Sequence, residues 1–221
     1  MVMVLRQNVR VGEAAGCAWF LLLALAYGLG LPSLVRAGLA GGASFADWAP
    51  IVSRSCTVAF MLILAWLMMA RPAPVARNAG LTPWLTAMAG TYGVWLIGFL
   101  PKAPLWPPLA LTGAVMTLVG SGLVVLSVLR LGRSFSIVPQ ARTLVTGGPY
   151  ALVRHPLYAA EELALIGVAM HVAWYICVPV VIAHVALQLR RMSYEEKLLA
   201  EVFPRYAAYA RQTARWVPGV W

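Results

Sequence analysis

The chain has 221 residues, of which 62% are hydrophobic and only 11% are charged. A soluble domain normally carries about 25% charged residues, so the composition argues against a soluble enzyme and predicts a membrane protein. Anchoring of basic residues to anionic lipid accounts for the net charge of +10, and we therefore predict no nucleic-acid partner.

Four apolar runs in the first 129 residues predict membrane-spanning helices. They cover residues 14–31, 51–70, 84–100 and 109–129, and each is close to the roughly 20 residues that cross a bilayer core. Residues 157–189 form a fifth apolar stretch, which at about 50 Å is too long for one crossing. Because Pro179 removes a helical N–H inside it, we predict a helical hairpin that turns near residues 171–178.

The basic residues predict the orientation of these helices in the membrane. With the N-terminus inside, 14 arginine and lysine residues fall on the cytoplasmic side and three fall outside, and together they account for all 17. The positive-inside rule therefore predicts that both termini are cytoplasmic. The three basic residues on the outer side are Arg36, Arg54 and Lys102.

The chain divides into a plain membrane half, residues 1–129, and a half that holds the polar chemistry, residues 130–221. The second half begins with a basic loop that contains the β-prone stretch "SFSIV" and several turn residues. Pro156 then suits the first turn of a helix, with His155 at its cap. Glu161 and Glu162 follow about one turn into an apolar stretch, where an acid is costly unless it is paired or faces a wet cavity.

The C-terminal stretch "RRMSYEEKLLAEVFPRYAAYARQTARWVPG" predicts an amphipathic helix along the membrane interface. Its apolar residues recur at helical spacing beside charged ones, and its aromatic residues suit the headgroup region. The predicted fold class is therefore an all-α polytopic membrane protein. It has four transmembrane helices, a C-terminal transmembrane helical hairpin and an interfacial cytoplasmic helix.

Two separated motifs together resemble the isoprenylcysteine carboxyl methyltransferase family, integral membrane enzymes related to phospholipid methyltransferases. The first motif is "LVTGGPYALVRHPLY", and the second is the C-terminal stretch with its paired glutamates. The resemblance covers about residues 118–219. Two positions depart from the family pattern, because Ala160 and Pro204 stand where the family usually has glycine.

The resemblance implies an S-adenosylmethionine site on the cytoplasmic side, with S-adenosylhomocysteine as the product and no metal. The residues implied in cofactor binding are Tyr150, Arg154, His155, Pro156, Leu157, Tyr158, Glu196, Tyr206 and Tyr209. Those implied in catalysis are Arg191 and Glu195.

Each implied role has a physical basis. The cofactor carboxylate suits His155 and the adjacent helix N-terminus, its ammonium suits Glu196, and its adenine suits Tyr206 or Tyr209. Arg191 would hold an acceptor carboxylate in a bidentate contact, and Glu195 would orient that arginine.

The expected acceptor is lipophilic and enters from the bilayer, and the expected location is the inner membrane of a bacterium. Membrane sterol and enone reductases, which bind NADPH, share a related hairpin and an RHPxY-like segment, so they are the alternative class. A non-enzymatic membrane protein that retains a relict pocket is a third.

Overall fold

The protein is described by a computed structural model that covers residues 9–40, 45–78, 80–93, 97, 100–101 and 106–219. The chain forms two compact units, which divide after Pro72. In the first unit, helix α1 (Val9–Leu29) and helix α2 (Leu31–Ala40) both pack against helix α3 (Phe45–Ala70).

The second unit contains the remaining elements. They are strand β1 (Ala76–Arg77), helices α4 (Leu81–Tyr92) and α5 (Pro107–Leu131), strand β2 (Gln140–Ala141), and helices α6 (Pro156–Ala169), α7 (Trp174–Val202) and α8 (Tyr206–Gln212). The unit thus includes two helices from the predicted N-terminal half, and the functional boundary at residue 129 stays a prediction.

Glycines allow α5 and α6 to pack backbone against backbone. A methyl group on Gly120 of α5 would lie 2.5 Å from the backbone nitrogen of Ala164 and 2.9 Å from the carbonyl oxygen of Ala160. A methyl group on Gly167 of α6 would likewise meet the backbone of α5 near Gly113. Small residues at helix crossings are typical of membrane interiors, where close packing holds helices together.

The helical hairpin predicted from the apolar length is formed by α6 and α7, with its turn at residues 170–173. Pro179 does not end a helix as expected but lies inside α7. Pro179 is the sixth residue of α7 and contributes no backbone N–H to the helix.

The C-terminal amphipathic stretch is continuous with α7 rather than a separate helix. Its apolar residues Leu198, Leu199 and Val202 pack around Ala76 and Ala141 of the two short strands. This burial gives the stretch a reason to extend α7, and only the seven-residue α8 follows separately.

The loop after α5 has little regular structure, as predicted. Its one strand is displaced from the β-prone "SFSIV" stretch to Gln140–Ala141, where Gln140 pairs with Arg77 and Ala141 with Ala76 in antiparallel register. The position of the strand is therefore set by its pairing with β1 and not by the local β preference of the sequence.

The all-α polytopic fold is confirmed. Among the described residues, four stretches are long and apolar enough to cross a bilayer: Ala14–Ala40, Ile51–Ala70, Pro108–Ser134 and Tyr175–Val202. Large apolar side chains such as Leu22, Trp66 and Leu118 are more than 60% exposed on them, as expected for helices in contact with lipid. The predicted crossing at residues 84–100 falls partly on α4 and partly on residues 94–96 and 98–99, outside the described set.

Candidate functional site

A cavity of about 840 Å³, including its solvent-open mouth, lies at the N-terminal end of α6. The cavity is lined by the loop after α5, the turn before α6, the C-terminal part of α7, and α8. Eight predicted site residues line it: Tyr150, Arg154, His155, Leu157, Tyr158, Glu195, Tyr206 and Tyr209. The other three, Pro156, Arg191 and Glu196, do not belong to its lining.

The start of α6 has the predicted geometry. Pro156 is the first helical residue and His155 is the cap, because proline is tolerated where the backbone N–H would have no helical partner. The C-terminal tail runs beside this start, and the backbone N–H groups of Arg154 and His155 donate to the carbonyls of Ala214 and Arg215. These two bonds hold the tail against Arg154 and His155, which line the cavity.

Glu196 is surrounded by basic groups of the protein itself. Arg154 Nε donates to Glu196 Oε1 at 2.8 Å, and His155 Nε2 lies 3.2 Å from the same oxygen. Arg215 Nε lies 3.2 Å from the other oxygen. Arg154 also donates to the carbonyls of Ala210 and Thr213. These contacts join α7 to the C-terminal tail. They also occupy the carboxylate of Glu196, which we had expected to face the cofactor ammonium.

Glu195 is the carboxylate that faces the cavity. The hydroxyl of Tyr158 donates to its Oε1, and the ring of His155 stacks on that of Tyr158 with centroids 5.6 Å apart. Oε2 of Glu195 is 4.0 Å from His155 Nδ1. One oxygen is therefore held in place by a tyrosine, while the other has no closer ionic partner among the described residues.

The turn "GGPY" positions Tyr150, which together with Tyr206 and Tyr209 forms an aromatic wall of the cavity. Gly148 has a φ of +66°, a left-handed conformation that favours glycine, and a methyl group added there would also contact the Arg130 side chain. Tyr209 donates its hydroxyl to the carbonyl of Tyr150 at 2.6 Å and so joins α8 to the turn. The hydroxyl of Tyr150 is buried without a hydrogen-bond partner among the described residues.

Burial strengthens the preference of Tyr150, Tyr206 and Tyr209 for the neutral form, which tyrosine already holds at physiological pH. It raises the pKa of Tyr209 to about 12, and it raises the pKa of Tyr150 and of Tyr206 still further above their usual range. The three hydroxyls therefore remain protonated hydrogen-bond donors at physiological pH.

Arg191 is buried behind the cavity wall. Its Nη1 donates to Gln188 at 2.9 Å, its Nη2 donates to the carbonyl of Ile137 at 3.2 Å, and its guanidinium lies 4.7 Å from the ring centre of Tyr158. The expected pairing with Glu195 is not among these contacts. Arg191 instead joins the loop after α5 to Tyr158.

Several polar residues near the cavity were not singled out by the sequence analysis. Gln140, Arg142 and Thr143 line the cavity from a loop that reads only as a basic connector. His184 and Gln188 lie behind it on α7, each less than 10% exposed. Their spacing with Arg191 and Glu195, at 184, 188, 191 and 195, was a usable signal, because it is one face of a helix in an apolar segment.

Among the described residues, no cluster of three or more potential metal ligands is found.

The two departures from the family pattern have structural accounts. Ala160 faces α5, where Gly120 provides the space for close packing, and Ala160 does not line the cavity. Pro204 lies in the turn after α7, where the N–H of Tyr206 donates to the carbonyl of Phe203 at 2.9 Å. Proline fits this turn because its missing N–H is not needed there.

Residues 109–206 match the phospholipid methyltransferase family. This region contains α6, α7 and every cavity-lining residue except Tyr209. The match confirms the predicted family resemblance and supports a membrane methyltransferase as the class of protein.

Two curated relatives are bacterial proteins named for metal resistance. The chain is 38% identical over 77 residues to the cobalt-zinc-cadmium resistance protein CzcN of Cupriavidus metallidurans, which is 34% of this chain and 36% of that protein. It is 29% identical over 157 residues to the nickel-cobalt-cadmium resistance protein NccN of Alcaligenes xylosoxydans xylosoxydans, covering 67% of this chain and 72% of that one.

A solved structure of similar extent is the eukaryotic intramembrane Ras methyltransferase, an isoprenylcysteine carboxyl methyltransferase. The comparison covers 98% of this chain and 99% of that chain, with a TM-score of 0.47 and 16% sequence identity.

Proposed function

We propose that the protein is an S-adenosylmethionine-dependent methyltransferase of the membrane, acting on a lipophilic acceptor that enters from the bilayer. The observation that carries this proposal is the cavity in the family-matched region, which is lined by the Glu195 carboxylate and by Tyr150, Tyr158 and Tyr206.

The donor set fits this cofactor. Glu195 offers a carboxylate to an ammonium group, and Tyr150 has a buried hydroxyl without a partner in the described structure, where a ligand acceptor would satisfy it. Tyr206 and Tyr209, whose rings meet edge to face at 6.0 Å, offer an aromatic surface to an adenine ring. The cofactor, when bound, supplies a methyl group on a sulfonium.

The protein's own residues then act chiefly by alignment. Glu195 orients the amino-acid end of the donor, and Tyr158 holds Glu195. Holding donor and acceptor in line lowers the entropic part of the barrier. The acceptor-binding role expected for Arg191 is replaced in this proposal by a supporting role, because two of its nitrogens already donate to protein oxygens.

The two adjacent glutamates provide the test. Glu195→Gln weakens binding of S-adenosylhomocysteine by about tenfold or more, because a charge-assisted contact contributes about 1.5–3 kcal/mol. Glu196→Gln chiefly lowers the melting temperature, because it leaves three basic groups without their counter-charge. Calorimetry and thermal unfolding of both variants in the same detergent distinguish the two roles.

Titration of the wild-type protein with NADPH tests the reductase alternative at the same time. Binding of S-adenosylhomocysteine without NADPH binding supports the methyltransferase. NADPH binding alone contradicts it. A loss of S-adenosylhomocysteine affinity in Glu196→Gln but not in Glu195→Gln would instead identify Glu196 as the residue that binds the cofactor ammonium.

A further inference from the structure

A buried polar stripe leads away from the cavity between α6 and α7. On α7 it consists of His184, Gln188, Arg191 and Glu195, and the facing residues on α6 are Tyr158, Glu161 and Glu162. At 1.5 Å per residue it extends about 17 Å along α7. Polar side chains at this depth in an apolar helix pair are costly unless they are paired with one another.

The hydrogen bonds of Gln188 can run in only one direction. A guanidinium only donates, so Gln188 Oε1 accepts from Arg191 at 2.9 Å. The amide nitrogen must then face the other way, and it donates to Glu161 Oε2 at 2.6 Å. Gln188 has no exposed surface. Glu161, Gln188 and Arg191 therefore form an ordered chain with a carboxyl group at one end and a cation at the other.

Arg191 transmits this order to the cavity. It contacts the carbonyl of Ile137, whose neighbours Ser136 and Val138 line the cavity, and it lies against the ring of Tyr158, which holds Glu195. Arg191 does not line the cavity itself. The position of its guanidinium depends on the hydrogen bond to Gln188. That position in turn affects how the loop at Ile137 and the Tyr158 ring are placed beside the cavity.

We infer that Glu161 and Gln188 are positioning residues for the cofactor site, acting through Arg191 on Tyr158, Glu195 and the loop at Ile137. Glu161 supplies the counter-charge and Gln188 connects the two. This inference rests on the proposed function, because the site that it adjusts is the proposed cofactor site.

The neighbouring pair of Glu162 and His184 is a separate arm of the stripe. His184 Nε2 lies 2.9 Å from the carbonyl of Gly90, and since a carbonyl only accepts, this nitrogen carries a proton. The other ring nitrogen meets Glu162 Oε1 at 2.5 Å. This arm joins α6 and α7 to α4 and makes no hydrogen bond to Gln188, so Glu162 is the matched control for Glu161.

The test uses variants of nearly the same shape. Glu161→Gln and Gln188→Glu each disturb the charge balance, and each should weaken S-adenosylhomocysteine binding by about tenfold. The double variant exchanges the two side chains, places the carboxylate directly against Arg191 and restores the charge. It should recover affinity to within about threefold of wild type. Glu162→Gln should leave affinity within about twofold, whatever its effect on melting temperature.

Rescue by the exchange separates positioning from general stability. Additive losses in the double variant, or an equal loss in Glu162→Gln, would overturn the inference. The two single variants approach the same link from opposite ends, so failure of one to fold leaves the other with the double variant. Absence of S-adenosylhomocysteine binding in the wild type would contradict the proposed function itself, whereas unchanged affinity in every variant would contradict only the positioning role.

Discussion

At the scale of single residues, one hydroxyl group joins the last helix to the turn that begins the cavity. Tyr209 is half-buried, and its hydroxyl donates to the carbonyl of Tyr150. Such a bond contributes about 1 kcal/mol on average. This bond also holds α8 against the turn at Tyr150, and both residues line the cavity.

We therefore expect Tyr209→Phe to lower the free energy of unfolding by about 1 kcal/mol and to weaken S-adenosylhomocysteine binding. The matched control is Tyr194→Phe, which removes a hydroxyl that meets Arg190 at 3.2 Å on the exposed side of α7 and should change neither quantity. Chemical denaturation and calorimetry measure the two effects. Equal behaviour of the two variants would remove the role given to Tyr209.

Arg191 provides a second test at this scale. Lysine keeps the charge but lacks the planar group that reaches both Gln188 and the carbonyl of Ile137. Arg191→Lys should lower stability by about 1–3 kcal/mol, because at least one buried partner loses its donor. It should also weaken S-adenosylhomocysteine binding. Wild-type stability and affinity in this variant would show that charge alone is sufficient at the position.

At the scale of helices, the contact of α5 with α6 depends on small residues. A side chain at Gly120 would meet backbone atoms, which cannot rotate away as a side chain does. The two helices would have to separate, and the start of α6, which carries the cavity, would move with them.

Gly120→Ala is accordingly expected to destabilise the protein by about 1–3 kcal/mol. Gly122→Ala, two residues along the same helix, is its control, because nothing lies within 4 Å of the added methyl group. Alanine there should be neutral or stabilising by up to about 1 kcal/mol. Melting temperatures in one detergent compare the pair, and similar losses in both would mean that α5 and α6 are less closely packed.

At the scale of the whole molecule, the distribution of basic residues predicts that both termini are cytoplasmic. Single cysteines at positions 7 and 212 should react only with reagent on the cytoplasmic side, and one at position 41 only from outside. Positions 7 and 41 lie outside the described residues. Cys17, Cys56 and Cys177 are all free thiols and are replaced first. Labelling of positions 7 and 212 from opposite sides would mean an odd number of crossings.

The amino-acid sequence by itself determined the membrane class, the apolar helices, the hairpin and the cap of α6. These features depend on composition and on neighbours a few residues apart, as at His155 and Pro156. The residues of the two motifs were also identifiable, because their types and spacing are visible along the chain.

Only the tertiary structure decided which of these residues face the cavity. Glu195 and Glu196 are adjacent in sequence, yet one meets Tyr158 at the cavity and the other meets Arg154, His155 and Arg215 behind it. The partner of a buried charge comes from a distant part of the chain, and no local pattern specifies it. Arg191 illustrates the same point, because its Nη2 donates to the carbonyl of Ile137, which lies 54 positions away in the chain.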